Sequence, residues 1–122
     1  MDNRKLQKIV VSALEDIKGK DIEVINTAKL TSMFDRLVIA TGDSNRQVKS
    51  LARNVSEKVR EAGGEVISIE GEDTGEWVLV DLGDLVVHVM QPLVRQYYNL
   101  EELWQTTPAQ RRKAVEQAAA AK

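Results

Sequence analysis

The apolar residues near the start of the chain recur at the spacing of a helix. They fall at i, i+3, i+4, i+7, i+8 and i+11 and are Leu6, Ile9, Val10, Ala13, Leu14 and Ile17. This spacing places them on one helical face, and Gly19 is expected to end the helix. A second helix is predicted after Thr41-Gly42-Asp43, with Ser44 as its N-cap and Gln47 completing a capping box. Gly63-Gly64 should stop it.

Between and after these helices the pattern changes to that of strands. Strands are predicted at 21–25 and 34–40, and the second contains an apolar run typical of a strand buried on both faces. Three more are predicted at 65–69, 76–80 and 85–90, the last two as an antiparallel hairpin around a Gly-Asp turn. The order of elements indicates an α/β fold, with a mixed five-stranded sheet flanked by helices and the second helix as a crossover.

The end of the chain is predicted to be helical. Pro92 should break the sheet, and residues 93–104 are expected to contain a short helix. Thr107-Pro108 has the pattern of an N-cap followed by proline at the first helical position. We therefore predict a single domain over residues 1–104 and an appended C-terminal helix within 105–122, which has too little apolar surface to dock firmly.

Composition narrows the possible chemistry. The chain has 122 residues, a net charge of -2, one histidine and no cysteine. The absence of cysteine excludes disulfides and thiolate catalysis, and a single histidine argues against a zinc site. We find no signal-peptide core and no apolar run of about 20 residues, so we expect a cytoplasmic protein without a membrane segment.

The charge distribution is strongly local. Between Arg60 and Arg95 there is no lysine or arginine, whereas eight carboxylates occur there: Glu61, Glu65, Glu70, Glu72, Asp73, Glu76, Asp81 and Asp84. Trp77 lies among them, and Tyr97, Tyr98 and Trp104 follow. An acidic surface with exposed aromatic side chains suits a basic protein partner better than nucleic acid.

The aromatic residues allow two interpretations. Trp77 and Leu79 should lie on one side of the sheet, opposite Val78 and Val80, so that one set is core and the other a contact surface. Tyr97 and Tyr98 are adjacent on a predicted helix, so at least one should reach solvent or a partner.

His88, in the interior of a strand, is expected to be a hydrogen-bonded structural residue, or an interface group if it points outward. A direct RNA contact through the basic stripe of the second helix is a weaker alternative. The stripe consists of Arg46, Lys49, Arg53 and Arg60.

A magnesium-dependent nucleotide-transferring enzyme is the alternative function. The turn that ends at Ser44 could bind phosphate, and carboxylates around two turns could bind magnesium. The candidate residues are Ser44, Glu70, Asp81 and Asp84. Nucleotidyltransferase-like sheets, however, carry an Asp-x-Asp pair on the strand after the glycine-serine turn, and here the span after Ser44 is helical. We therefore expect no catalytic residue, cofactor or metal.

Five segments in unbroken order resemble the Iojap family, the ribosomal silencing factors. They are Asp35-Arg36-Leu37-Val38-Ile39-Ala40-Thr41-Gly42-Asp43-Ser44-Asn45-Arg46-Gln47, Glu70-Gly71-Glu72, Gly75-Glu76-Trp77-Val78-Leu79-Val80-Asp81-Leu82-Gly83-Asp84, Val86-Val87-His88-Val89-Met90 and Tyr98-Asn99-Leu100-Glu101-Glu102-Leu103-Trp104. The resemblance covers about residues 3–104 and leaves 105–122 outside it.

The resemblance implies a nucleotidyltransferase-like fold that has lost catalysis. It implies binding to the large ribosomal subunit through that subunit's fourteenth protein, which prevents joining of the small subunit and represses translation when nutrients are scarce. It also implies a homodimer in the free state. Carried onto this sequence, the partner-binding residues are Trp77, Leu82, His88 and Tyr98, with Asp81 and Asp84 as supporting acids. The acidic stretch would then steer docking onto a basic protein.

Overall fold

The computed structural model describes residues 1–100 and residue 102, so the helix predicted within 105–122 lies outside the described residues. Eight elements follow one another along the chain. They are α1 (Asn3–Asp16), β1 (Lys20–Asn26), β2 (Arg36–Thr41), α2 (Asn45–Glu61), β3 (Ser68–Glu70), β4 (Trp77–Asp81), β5 (Leu85–Met90) and α3 (Pro92–Tyr98).

The strands form one sheet in the order β1-β2-β5-β4-β3. β2 and β5 are parallel, and the other neighbouring pairs are antiparallel. β3 therefore runs parallel to β2 at the distant edge, and α2 is the crossover that joins them. The predicted α/β class, the mixed five-stranded sheet with flanking helices and the β4–β5 hairpin are all confirmed. The likeness to nucleotidyltransferases stays a prediction.

The two faces of the sheet are buried by different partners. α1 and α2 pack on one face, which we call the helix face, and alternate residues of the central strands lie beneath them. Val38, Val78, Val80 and Val87 are fully buried there. The opposite face, which we call the far face, carries a second apolar cluster. It consists of Ile25, Leu37, Ile39 and Val86, with Phe34, Leu79 and Leu100 packed against it.

Helix ends follow the predicted capping residues, with two differences. The Ser44 side chain accepts a hydrogen bond from the backbone N–H of Gln47, as a capping box requires. The Gln47 side chain accepts instead from the N–H of Asp43, one residue before the cap. At the end of α1, Lys18 rather than Gly19 adopts the left-handed conformation. Gly19 is instead packed closely against the helix end, since a Cβ at this position would lie 3.0 Å from the Leu14 carbonyl oxygen.

The prediction for the third strand was wrong in extent. A strand was expected over 65–69, but β3 pairs only from Ser68 to Glu70. Ser68 lies opposite Asp81, the last residue of β4, so residues before Ser68 extend past the end of their partner strand. Apolar alternation predicts a strand, but ladder length depends on the neighbouring strand.

The short helix predicted within 93–104 corresponds to α3, which begins at Pro92 and is followed by left-handed Asn99. Each helix in the described part of the chain lacks the length and apolar character that spanning a membrane would require.

Candidate functional site

The β4–β5 hairpin arranges the predicted site residues on the far face. Trp77 lies opposite Met90, Leu79 opposite His88, and Asp81 opposite Val86. Because side chains alternate along a strand, Trp77, Leu79 and Asp81 share one face, and Val78 and Val80 point into the core under the helices. Trp77 is half-buried on the far face, while Val78 is fully buried beneath the helices, so Trp77 is not part of the main core and its role as a contact residue stays a prediction.

Trp77 and His88 are joined by a hydrogen bond. The indole Nε1 donates to Nδ1 of His88 at 2.8 Å, and the ring centroids are 5.7 Å apart. An indole nitrogen can only donate, so Nδ1 must be the unprotonated nitrogen of a neutral imidazole. Burial lowers the pKa of His88 to about 4, which keeps the ring neutral at physiological pH. The predicted hydrogen bond of His88 is therefore present, and its role in partner binding stays a prediction.

The aromatic contacts continue from Trp77 onto α3. The Trp77 and Tyr98 ring centroids are 4.9 Å apart, and Tyr97 meets Tyr98 edge-on at 5.0 Å. Tyr97 is 61% exposed and Tyr98 is 50% exposed, so both tyrosines reach solvent. We call Trp77, His88, Tyr97 and Tyr98 the aromatic cluster. Tilted rings at these distances contribute attraction beyond simple burial.

Arg95 holds α3 on the sheet. None of the α3 residues is buried, so the helix depends on specific contacts to stay in place. The Arg95 guanidinium donates from Nη1 to the Thr41 hydroxyl at 2.8 Å and to the Asp21 carbonyl at 2.5 Å. It thereby connects α3 to the end of β2 and to the irregular start of β1. Arg95 was not among the predicted site residues, although it is the first cation after the stretch without lysine or arginine.

We predict that Arg95→Gln loosens α3 without unfolding the domain. Charged donors satisfy two acceptors here, and their loss should cost about 1–3 kcal/mol of local stability. Hydrogen–deuterium exchange should rise selectively in residues 93–98. Gln96→Ala, an exposed neighbour on the same helix, is the matched control and should leave exchange unchanged. Equal exchange in Arg95→Gln and the parent protein would contradict the role given to Arg95.

The carboxylates of the cation-free stretch differ in exposure and pairing. Glu65, Glu70, Asp73, Glu76 and Asp84 are exposed. Within the described residues, ion pairs neutralise two other members of the stretch, since Lys58 approaches Glu61 and Arg53 approaches Glu72, each at 3.6 Å. The remaining exposed acids give this part of the surface a negative potential.

Three of the predicted site residues, Asp81, Leu82 and Asp84, lie at the turn between β4 and β5. Asp81 is half-buried, and its Oδ1 accepts a hydrogen bond from the Gly83 N–H at 2.9 Å, which stabilises the hairpin turn. Asp84 is exposed in the turn itself. Leu82 is only 8% exposed and packs with the cluster beneath α1 and α2. The structure therefore brings Trp77, His88 and Tyr98 together and does not bring Leu82 to their face.

Leu93 is an exposed residue that the sequence analysis missed. It lies four positions before Tyr97 on α3 and is 81% exposed. Residues four apart lie on the same side of a helix, so Leu93 and Tyr97 form an apolar stripe. Leucine and tyrosine at this spacing were a signal in the sequence, but only the structure shows that both side chains are exposed.

The residues of the alternative magnesium site are not assembled. Ser44 follows the end of β2, whereas Asp84 precedes the start of β5, which is parallel to β2, so the two lie at opposite ends of the strands. The Ser44 hydroxyl already caps α2. Within the described part of the chain, no group of three or more histidines and carboxylates could hold a metal ion.

The basic stripe of α2 lies on a helix that packs against the helix face, on the opposite side of the sheet from Trp77. Arg53 is paired with Glu72, and the Lys49 ammonium donates to the Asp73 carbonyl at 3.4 Å. Arg53 and Lys49 are thus partly engaged within the protein, which leaves fewer basic side chains of the stripe available to contact RNA phosphates.

Comparisons with known proteins agree on one family. A family model described as "Ribosomal silencing factor during starvation" matches residues 1–122. A Chromobacterium violaceum protein named "Ribosomal silencing factor RsfS" is 58% identical over 104 residues, which is 85% of this chain and 85% of that protein. A mouse protein named "Mitochondrial assembly of ribosomal large subunit protein 1" is 31% identical over 99 residues, covering 79% of this chain and 43% of that protein.

A solved structure supports the same relationship. The crystal structure of a Chromobacterium violaceum protein is 56% identical and superposes with a TM-score of 0.85. The match covers 88% of this chain and 89% of that one. At this identity, both the fold and the family are shared.

Proposed function

This chain belongs to the family of ribosomal silencing factors, and we propose that it represses translation by occupying the large ribosomal subunit. It docks on the fourteenth protein of that subunit, on the face that meets the small subunit, and so prevents joining when nutrients are scarce. It acts in the cytoplasm, and in the free state it is a homodimer. Direct contact with ribosomal RNA is secondary.

The observation that carries this proposal is the aromatic cluster, beside which Glu76 is exposed next to Trp77. Trp77 and Tyr98 are in ring contact at 4.9 Å, and half of Tyr98 is exposed. Tryptophan and tyrosine are the side chains that most often anchor protein interfaces. The exposed acids nearby favour a positively charged partner and would speed its approach at low salt. The name of the mouse relative, which refers to the ribosomal large subunit, supports the choice of subunit.

Two experiments test the proposal directly. Adding the purified protein to separated subunits should reduce the joined fraction in a sucrose gradient, and unchanged joining would refute repression by occlusion. In a second experiment, the isolated fourteenth protein of the large subunit should be captured in the absence of RNA. Failure of that capture, with binding to whole subunits retained, would assign the docking site to another ribosomal component.

We predict that Trp77→Ala weakens binding to the large subunit by about tenfold to a hundredfold, because interface tryptophans commonly contribute this much. The domain should stay folded, since Trp77 is half-buried and the main core lies on the other face. Co-sedimentation measures binding, and circular dichroism measures folding.

Arg60→Ala is the control for the RNA-binding alternative. Arg60 is exposed at the end of α2, away from the aromatic cluster. Binding should change less than twofold in this variant, because a single exposed charge outside the contact contributes little. A larger loss in Arg60→Ala than in Trp77→Ala would favour a nucleic-acid contact through α2.

A further inference from the structure

The Trp77–His88 hydrogen bond has a fixed direction. The indole Nε1–H can only donate, so His88 Nδ1, 2.8 Å away, must accept. The imidazole proton is then on Nε2. A protonated imidazole would present an N–H to the indole N–H, and the bond would be lost. The pair is therefore intact only while His88 is neutral.

His88 is held in place by the sheet and is nearly inaccessible. It lies on β5, the central strand of the sheet, opposite Ile39 on β2 and opposite Leu79 on β4. Only 9% of its surface is exposed, compared with 50% for Tyr98. A residue so enclosed offers little surface to a partner, whereas Trp77, to which it is bonded, is partly exposed.

The hydrogen bond also determines what Trp77 can offer. Its sole hydrogen-bond donor is already satisfied within the protein. The exposed remainder of the indole is carbon surface and π-face, stacked at a tilt of 47° against Tyr98. Such a surface suits an aliphatic side chain or the cationic group of an arginine or lysine. A basic partner supplies both.

We propose that His88 is a positioning residue that acts through Trp77. Its neutral Nδ1 orients the indole so that the ring, rather than its N–H, meets an aliphatic or cationic side chain of the basic partner. This inference rests on the proposed function for its binding readout. The family resemblance implies that His88 contacts the partner directly. We infer instead that His88 supports Trp77, which makes the contact.

The test uses two variants of similar shape. His88→Asn keeps an acceptor oxygen on the δ position, whereas His88→Leu places a methyl group there. Affinity for the large subunit should fall about fivefold to tenfold in His88→Leu, as expected for the loss of one hydrogen bond, and should be largely retained in His88→Asn. Both variants are also made in a Trp77→Phe background, which lacks the indole N–H.

The double-mutant comparison separates an indirect role from a direct one. If His88 acts through the indole, His88→Leu should change affinity less than twofold in the Trp77→Phe background. If His88 touches the partner, the full loss should persist there, which would overturn the proposal. Equal losses in His88→Asn and His88→Leu would overturn it as well.

A readout in the free protein keeps this inference separate from the proposed function. In a Trp104→Phe background, the indole N–H resonance of Trp77 is observed alone. It should be protected from solvent exchange in the parent and in His88→Asn, and should exchange at least tenfold faster in His88→Leu. Unchanged exchange would refute the positioning role even if the ribosome binds. Protection without any ribosome binding would refute the proposed function and leave the Trp77–His88 link intact.

Discussion

Replacing Gly71 by alanine is expected to lower the free energy of unfolding by about 3–4 kcal/mol, because two costs combine at this position. Gly71 has a φ of +90°, a conformation that L-residues rarely adopt. A Cβ there would also lie 2.1 Å from the carbonyl oxygen of Trp77, which is backbone and cannot move aside as a side chain could. The 71–76 loop or the start of β4 would have to shift.

Gly63 is the matched control for this substitution. Its φ of +87° is nearly the same, but an added Cβ would meet no atom within 4 Å. Gly63→Ala should therefore show only the conformational cost, about 1–2 kcal/mol. Urea denaturation followed by circular dichroism measures both variants. If Gly71→Ala and Gly63→Ala lower the free energy of unfolding equally, the loop at Gly71 must accommodate the new methyl group beside the Trp77 carbonyl without an additional energetic cost, and the prediction is wrong.

Gly71→Ala should also affect docking, because the displaced backbone belongs to Trp77 itself. Where the variant remains folded, its affinity for the large subunit should fall, while that of Gly63→Ala should not. The glycine turn is thus expected to support the position of the aromatic cluster as well as the stability of the sheet.

Acidification is expected to destabilise the protein through His88, by about 2 kcal/mol at pH 5 and about 3 kcal/mol near pH 4. Burial lowers the pKa of His88 in the folded state from its ordinary value of 6.5 to about 4. Between these two values the unfolded chain binds a proton that the folded protein does not. The stabilisation is therefore complete above pH 6.5 and is lost as the pH falls towards 4.

The single histidine of the chain makes this prediction measurable. The free energy of unfolding is compared at pH 7.5 and pH 5 for the parent and for His88→Leu, which has no group to titrate there. The parent should lose about 2 kcal/mol more than the variant. An NMR titration of the imidazole should give a midpoint near 4. Parallel pH dependence, or a midpoint near 6.5, would contradict the burial of a neutral His88.

Much of the architecture follows from local pattern. The apolar stripe from Leu6 to Ile17, the Ser44 cap and the glycines after α2 specified both long helices within a few residues. The length of β3 did not follow, because pairing stops where β4 turns away at Asp81. The tendency to form a strand depends on one segment of the sequence, whereas the length of a strand pair depends on both of its strands.

The candidate site could be predicted only in part for a similar reason. The alternation along β4 placed Trp77 and Leu79 on one face and Val78 and Val80 on the other, but it did not show which pair faces the helices. The Leu82 side chain packs into the main core, and the sequence Asp-Leu-Gly-Asp does not show on which side of the sheet this leucine lies. Arg95 reaches residues 54 and 74 positions away, Thr41 and Asp21, and no local pattern predicts a contact at that separation.

The sequence by itself determined the elements, their approximate limits, the cation-free acidic stretch and the family, because each depends on residue types at short spacing. Only the tertiary structure decided what the aromatic residues do. Residues 77, 88 and 98 come from two strands and a helix, and they meet because β4 pairs with β5 and α3 folds back over the end of the sheet. The direction of His88 and the partner of the Trp77 N–H are consequences of that long-range packing.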